Sequence, residues 1–361
     1  MDAKEIRSLT GLRGIAACYV MVYHFRTGWT PPHAIAGLVN HGYLAVDLFF
    51  VLSGFVLTLT YGRRVATWAE YGGFLVKRLG RVYPLYLVAT LGALILWHDV
   101  GSVSTLTANA LLVQSWGLAD PFLAPTWSIS TELAAYIAFP ALAIVMLRRT
   151  DTAALCAILA ACALWWVSTR SDAFLSEEAA DARGGPLDIY VSTTAFPLLR
   201  CFAGFALGMV AYRLSGLRRL QTALGRATAA LGLTICGLLA LPGTDVAIVL
   251  LCVPFVALLA SAGGTIAAVL AWGPIYWLGL VSYSIYLDHR LVERALHDPV
   301  AKLLAASGIP HAFSLTIPVL GAVSIGCAGI TYRLIEEPCR NAVRRLFNQQ
   351  RTPIEEEVAA P

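Results

Sequence analysis

Apolar runs long enough to cross a lipid bilayer recur from one end of this chain to the other. A helix needs about 17–25 mostly apolar residues to span roughly 30 Å of hydrocarbon. Ten such runs lie between polar breaks, at about 11–27, 42–61, 82–98, 127–147, 153–169, 189–212, 227–242, 246–262, 275–293 and 313–333. We therefore expect an all-α integral membrane protein with about ten transmembrane helices.

The composition argues against a soluble globular protein. Only 13% of the 361 residues are charged and 58% are hydrophobic, whereas soluble domains carry about 25% charged residues. Nucleic acid is not an expected partner, because the net charge is only +4 and the basic residues form no long tract. The eight cysteines have no CxxC spacing, so no metal site is expected either.

Basic residues predict the orientation of the helices. If the N-terminus lies in the cytoplasm, most of the 26 lysines and arginines fall in cytoplasmic segments, as the positive-inside rule requires. We expect a multi-pass protein of the plasma (inner) membrane, N-in and C-in, with the lipid bilayer as a partner. Residues 1–346 should form one transmembrane domain, and residues 347–361 a disordered cytosolic tail.

Ionisable side chains inside the predicted spans mark candidate functional positions, since each costs about 2.5–3.5 kcal/mol on insertion scales. Arg13 and His24 lie almost three helical turns apart in the first span, so they share one face with about 16 Å between them. In a purely structural interpretation, Arg13 extends to the lipid headgroups on the inner side, and His24 has its hydrogen-bond partners at the membrane interface. The functional interpretation makes His24 a general base, because imidazole exchanges protons near neutral pH.

Arg78 and Arg81 share a helix face just before the third span, on the predicted cytoplasmic side. Two guanidinium groups at this spacing could clamp a phosphate. The alternative is an ordinary anchor that obeys the positive-inside rule, which other basic residues nearby also favour.

Further polar residues lie in the fourth and second spans. Ser128 and Glu132 are i,i+4 neighbours at the start of a helix, and Ser130 points away from both. Helix capping explains the serines about as well as substrate contact does, but it does not explain the carboxylate. Asp47 lies six residues before Ser53 and Gly54, two small residues that permit a neighbouring helix to approach closely. Helix packing explains the two small residues, but it does not explain Asp47.

His289 and Arg200 lie in the ninth and sixth spans. Glu293 follows His289 by one turn, so it could hold a protonated imidazole, or the two could form a purely structural ion pair. Arg200 has no acidic partner near it in its own helix and must find one across the bundle. Asp47 and Glu132 are both available, and the sequence does not choose between them.

Seven fragments, taken in order, resemble the acyltransferase-3 family of integral-membrane O-acyltransferases. They are LTGLRGIAACYVMVYHF, GYLAVDLFFVLSGFVL, KRLGRVYPLY, PTWSISTELAAYIAFP, RCFAGFALGM, LGLVSYSIYLDHRLV and YRLIEEPCR. The resemblance spans nearly the whole chain and implies a core of ten helices. Members of that family acylate sugars of surface polysaccharides, peptidoglycan or small secreted products.

The resemblance also implies roles for the polar residues. His24 looks like the catalytic histidine and Arg13 like its partner in the motif, while Glu132 and Asp47 occupy the positions of the family's intramembrane acids. The arginine pair at 78 and 81 looks like the Arg-x-x-Arg pair associated with the acyl donor, which implies acyl-coenzyme A, typically acetyl-coenzyme A. The remaining candidates, for substrate binding, are Ser128, Ser130, Arg200 and His289.

We therefore expect an enzyme that moves an acyl group from cytoplasmic acyl-coenzyme A to a hydroxyl of a glycan or glycosylated small molecule. A multi-span transporter or proton-coupled exporter is the alternative, since it would also carry buried charges. No internal inverted repeat is visible in the sequence, which disfavours that alternative.

The enzyme interpretation predicts a continuous polar passage through the bundle. It should run from the arginine pair, past Arg13, to His24, with Asp47 and Glu132 along its walls. Without such a passage, the thioester of a cytoplasmic donor has no route to His24.

Overall fold

A computed structural model of the chain contains helices joined by turns and irregular segments, and no strand among the residues that it describes. These are residues 5–26, 29, 31–62, 67–98, 101–170, 173, 175, 183–189, 191–192, 194–217, 224–261, 264–307 and 312–349. The disordered tail predicted for residues 347–361 lies outside the described residues, except for its first three residues, since the last described helix ends at Gln349.

The helices of the first part of the chain are α1 (Arg7–Phe25), α2 (His33–Asn40), α3 (Leu44–Tyr61), α4 (Trp68–Trp97), α5 (Val103–Ala110), α6 (Thr126–Arg148), α7 (Thr150–Arg170) and α8 (Phe196–Ser215). Those of the second part are α9 (Leu224–Leu238), α10 (Asp245–Ser261), α11 (Thr265–Leu270), α12 (Gly273–Leu280), α13 (Ser282–Ala306), α14 (Ala312–Thr331) and α15 (Glu337–Gln349). A 3-10 turn at His41–Tyr43 leads into α3, and a π-helical turn at Tyr332–Glu336 joins α14 to α15.

Six helical segments of the described chain are long and apolar enough to cross a membrane. They are His33–Tyr61, Trp68–Trp97, Thr126–Arg148, Thr150–Arg170, Phe196–Ser215 and Leu315–Leu346. Although α1 has 19 residues, it is not one of them, because Arg13 and His24 reduce its apolar character. The all-α prediction is confirmed for the described residues, while the count of about ten spans and the N-in, C-in orientation remain predictions.

Each of the ten predicted runs overlaps a helix, but three predicted boundaries were wrong. α4 begins well before the predicted third span, because Thr67 forms a capping box at its start. The sixth run becomes helical only just before Pro197, which suits the first turn of a helix. The ninth run is broken at Val281, so that α12 and α13 replace one continuous helix.

α3 and α8 pack along each other in the core, where two glycines let their backbones meet. A Cβ atom on Gly54 would lie 2.0 Å from the carbonyl oxygen of Phe205, and one on Gly208 would lie 2.0 Å from that of Val51. Small residues permit this kind of approach between helices in a membrane. The predicted packing role of the small pair at 53–54 is therefore confirmed for Gly54.

A buried ion pair joins the same two helices. Arg200 of α8 donates from Nε to Asp47 Oδ1 at 2.8 Å and from Nη2 to Asp47 Oδ2 at 2.6 Å. It also donates to the carbonyl oxygens of Ile189, at 3.3 Å, and Tyr43, at 3.2 Å. Asp47 is thus the acidic partner of Arg200 from another helix. Arg200 also binds the backbone just before α3, at Tyr43, and the segment that leads into α8, at Ile189.

Two other carboxylates fix the segment that leads into α8. Asp188 accepts a hydrogen bond from the hydroxyl of Tyr23, the neighbour of His24. Asp245, at the start of α10, accepts from the Tyr43 hydroxyl at 2.5 Å and from the backbone N–H of Leu187 at 2.8 Å. These bonds hold the ends of α1, α3, α8 and α10 together on one side of the bundle.

Removing one partner of the Arg200–Asp47 pair should destabilise the chain more than replacing both. Asp47→Asn leaves the Arg200 charge buried without a counter-ion, which typically costs about 3–5 kcal/mol. Asp47→Leu combined with Arg200→Met removes both charges at similar volume and should recover most of that loss. Thermal unfolding of the purified chain measures the difference, with Asp298→Asn as a control because that side chain is 83% exposed. A single variant as stable as the double variant would contradict this account of the pair.

Candidate active site

A cavity between α1, α3, α4, α6 and α13 collects half of the ionisable site residues that the sequence indicated. Arg13, Arg78, Arg81, Glu132 and Ser128 all line it. The space open to a water-sized sphere is about 100 Å³, which holds several water molecules or a thin chain. A nucleotide does not fit in that space, so only a narrow part of a large ligand could enter.

The lining of this arginine cavity carries an excess of positive charge. Its three guanidinium groups face one carboxylate, that of Glu132, which accepts a hydrogen bond from Ser53. Arg78 donates to the Tyr61 hydroxyl at 3.3 Å, but its buried Nε has no hydrogen-bond partner among the described residues. Positive charge with a spare donor suits an anionic ligand such as a phosphate.

Glu336 lies beside the same arginines, and sequence reasoning gave it no role. It is 1% exposed, accepts from Ser284 Oγ at 3.0 Å and is close enough to Arg81 and Arg13 for their charges to act on it. The π-helical turn at Tyr332–Glu336 carries it, and such turns occur often at functional sites. A carboxylate directly after the last apolar run was the signal that could have identified it.

Ser128 shares the arginine cavity, whereas Ser130 does not. Ser128 Oγ lies 2.9 Å from the Tyr286 hydroxyl and donates to the Pro125 carbonyl at 3.1 Å. Ser130 is fully buried, and its Oγ accepts from the backbone N–H of Ser115 at 3.2 Å. The predicted divergence of the two serines is confirmed. Substrate contact by Ser130 does not fit this geometry, because its side chain is enclosed and already bonded.

Asp47 and Arg200 also lie outside the arginine cavity. Both are 1% exposed and their charges are satisfied by each other. The expectation that Asp47 lines the passage is therefore corrected, and neither catalysis by Asp47 nor substrate binding by Arg200 fits the enclosed pair. The physical reason is that a guanidinium without an acid in its own helix takes the nearest carboxylate across the bundle.

His24 and His289 form a hydrogen-bonded pair. His289 Nε2 lies 3.0 Å from His24 Nδ1, and His289 Nδ1 lies 3.0 Å from the carbonyl oxygen of Ile285. The two rings stack with their centroids 5.0 Å apart. His289 is completely buried, while His24 is partly accessible. The prediction that Glu293 holds His289 was wrong, because Glu293 pairs with Arg290.

These contacts determine where each neutral imidazole carries its hydrogen. The Ile285 carbonyl can only accept, so Nδ1 of His289 is the donor and Nε2 of His289 has the lone pair. Nδ1 of His24 must then donate to that lone pair, which makes Nε2 the basic nitrogen of His24. The partners are 265 residues apart, so no local spacing in the sequence could predict this contact.

Tyr286 connects the arginine cavity with the histidine pair. It lines the cavity, and its ring centroid lies 6.2 Å from that of His289. The ring of Phe49, which also lines the cavity, packs edge-on against Tyr286 at 5.9 Å. His24 is not among the residues that line the cavity. The prediction of a continuous passage to His24 was therefore wrong: in the part of the chain that the structure describes, the cavity extends past Arg13 and ends at the side chain of Tyr286.

Residues 6–333 of the chain match a family model described as an acyltransferase domain. YrhL of Bacillus subtilis (strain 168), provisionally named a peptidoglycan O-acetyltransferase, is 27% identical over 96% of this chain and 57% of its own length. The peptidoglycan O-acetyltransferase OatA of Listeria monocytogenes is 24% identical over 93% of this chain and 56% of its own length. The exopolysaccharide production protein ExoZ of Rhizobium meliloti (strain 1021) is 28% identical over 84% of this chain and 92% of its own length.

The chain thus spans little more than half the length of YrhL and OatA. No solved structure matches it. The matched range contains the arginine cavity residues Arg13, Arg78, Arg81 and Glu132 as well as the His24–His289 pair. The resemblance indicated by the seven sequence fragments is confirmed, and the chain belongs to the acyltransferase-3 family.

Proposed function

We propose that the chain is a membrane O-acyltransferase that moves an acyl group from acyl-coenzyme A to a hydroxyl of a glycan or glycosylated small molecule. The observation that carries this proposal is the His24–His289 pair, which leaves the basic nitrogen on the more accessible ring. Acyl transfer to a hydroxyl needs a base of this kind. Nothing in the described residues favours the transporter alternative specifically.

The shape and charge of the arginine cavity support coenzyme A as the donor. This molecule combines phosphates with a long, thin arm that ends in the thioester. The phosphates would remain at the mouth against Arg78 and Arg81, and the arm would extend inward along Arg13. The side chain of Tyr286 would have to turn aside for the thioester to reach His24, because it closes the cavity on that side. An acetyl group is the acyl group that the relatives' names support, since YrhL and OatA are both named O-acetyltransferases.

The reaction proposed is a direct transfer assisted by His24. Nε2 of His24 takes the proton of the acceptor hydroxyl, and the oxygen attacks the carbonyl carbon of the thioester. A carbon–oxygen bond forms, the carbon–sulfur bond breaks, and the departing thiolate of coenzyme A takes the proton back from His24. His289 accepts a hydrogen bond from Nδ1 throughout, which stabilises the imidazolium that forms briefly.

The names of the relatives support a glycan as the acceptor. YrhL and OatA are named for peptidoglycan, and ExoZ for an exopolysaccharide. We extend the shared chemistry, a sugar hydroxyl, to this chain. Purified protein incubated with labelled acetyl-coenzyme A and fragments of peptidoglycan or exopolysaccharide tests the proposal by the label recovered in the sugar.

His24→Ala should abolish this transfer without unfolding the chain. Loss of a general base typically lowers the rate by about 10²–10⁴-fold. His33→Ala is a matched control, because His33 is exposed outside the arginine cavity and the histidine pair. The rate of label transfer and the unfolding temperature are measured together for both variants. Near-native turnover by a folded His24→Ala protein would exclude His24 as the base.

His289 is a positioning residue in this account, because it acts through His24. His289→Leu should lower kcat by about 10–100-fold and leave the KM for acetyl-coenzyme A unchanged. A hydrogen bond to a charged group contributes about 1.5–3 kcal/mol, and 1.4 kcal/mol corresponds to a tenfold rate change. His289→Gln should recover part of the rate, since its amide oxygen can still accept from Nδ1 of His24. Equal activity of the leucine and glutamine variants would show that His289 has only a packing role.

Arg78 and Arg81 should bind the phosphates of coenzyme A. The double variant Arg78→Ala, Arg81→Ala should weaken coenzyme A binding by about 10–100-fold or more, because charge-assisted hydrogen bonds contribute about 1.5–3 kcal/mol each. Arg81→Lys should recover only part of the affinity, since an ammonium cannot bridge two phosphate oxygens. Calorimetric titration measures the affinity, with the exposed Arg148→Ala as a control on the same predicted side. If the double variant binds coenzyme A with unchanged affinity, the two arginines do not bind the donor and serve only to orient the helix in the membrane.

A further inference from the structure

A second cavity, which the proposed mechanism does not use, lies toward the far end of α4. Trp97, the last residue of α4, lines it with Thr105, Asp120, Phe122 and Arg290. Its volume open to a water-sized sphere is about 480 Å³, so it is considerably larger than the arginine cavity. On α4, the nearest lining residues of the two cavities are Val82 and Ala93, which lie 11 positions, or about 16 Å, apart along the helix.

The side chains of this second cavity differ in kind from those of the arginine cavity. Trp97 and Phe122 offer aromatic rings, and Asp120 is an exposed carboxylate. Arg290 donates to Glu293, and its buried Nε has no hydrogen-bond partner among the described residues. The charge of Arg290 is already balanced by Glu293, and the Asp120 carboxylate would repel an anion. A neutral ligand with many hydroxyls therefore suits this lining better than a phosphate does.

The second cavity contacts α13 close to the position of the histidine pair in that helix. Arg290 follows His289 directly in α13. Ala124, another lining residue, precedes Pro125, whose carbonyl accepts from the Tyr286 hydroxyl at 3.0 Å. The two cavities therefore have lining residues one helical turn apart on α13, Tyr286 in the arginine cavity and Arg290 in the second cavity. A donor and an acceptor that enter separately would meet there.

We propose that the second cavity binds a neutral pyranose ring of the acceptor. The apolar face of the sugar packs on Trp97 or Phe122, as sugars and other partly apolar ligands do on aromatic side chains. The Asp120 carboxylate accepts from sugar hydroxyls, and Arg290 donates to them from Nε. This inference rests on the proposed function, since it identifies the acceptor site of that same reaction.

Binding of neutral oligosaccharides tests this site without any need for turnover. The full chain is reconstituted in lipid nanodiscs, because maltoside detergents present sugar headgroups of their own. Chitotetraose and cellotetraose are titrated by calorimetry into the wild type, Trp97→Leu and Asp120→Asn. Trp272→Leu is the matched control, since Trp272 is 63% exposed and does not line either cavity. Acetyl-coenzyme A is titrated into the same samples.

The wild type should bind at least one tetrasaccharide, and Trp97→Leu and Asp120→Asn should each weaken that binding by about tenfold or more. The Trp272→Leu control should bind normally, and all variants should keep their affinity for acetyl-coenzyme A. No tetrasaccharide binding by the wild type, or equal binding by the cavity variants and the control, overturns this inference. Failure of the proposed function has a different signature, namely no binding of acetyl-coenzyme A and no labelled sugar even from the wild type.

Discussion

The bidentate ion pair between Arg200 and Asp47 is the contact on which the rest of the structure depends. Neither charge is stable alone in a hydrocarbon environment, so α3 and α8 must face each other. Gly54 and Gly208 then allow their backbones to meet along the same interface. The spare donors of Arg200 hold backbone carbonyls next to both helices, including that of Tyr43. Because Asp47 is the acid that pairs with Arg200, Glu132 remains in the lining of the arginine cavity, where it accepts a hydrogen bond from Ser53.

A second consequence of packing is that the catalytic candidates are separated rather than gathered in one pocket. The three cavity arginines lie at one end of the passage, and the His24–His289 pair lies beyond Tyr286. Such a division suits a reaction whose donor is a charged, soluble thioester and whose acceptor is a bulky sugar. In the proposed reaction, the arginines would retain the phosphates while the thioester end of the arm reaches the base. The second cavity, near Trp97, would give the acceptor an approach of its own.

The amount that could be predicted from the sequence differs between elements and contacts. The length of the apolar runs predicts the helices, because the number of residues in a span follows from the thickness of the bilayer. Helical spacing likewise predicts that Ser130 diverges from Ser128. The partner of Arg200 and the partner of His24 depend on which helices are neighbours, and no local pattern encodes that choice. Glu336 differs, because its position directly after the last apolar run was a local signal, although its relation to the arginines exists only after the π-helical turn packs beside α4.

The central claim is that a donor held by the arginines presents its acyl carbon to Nε2 of His24. The most direct measurement is an experimental structure of the full chain with S-acetonyl-coenzyme A, a thioether analogue that cannot transfer its acyl group. The account predicts the phosphates against Arg78 and Arg81, and the carbonyl past Tyr286, with room for one acceptor oxygen between it and Nε2 of His24. A carbonyl that remains on the arginine side of Tyr286, or phosphates bound in the second cavity near Trp97, would contradict it.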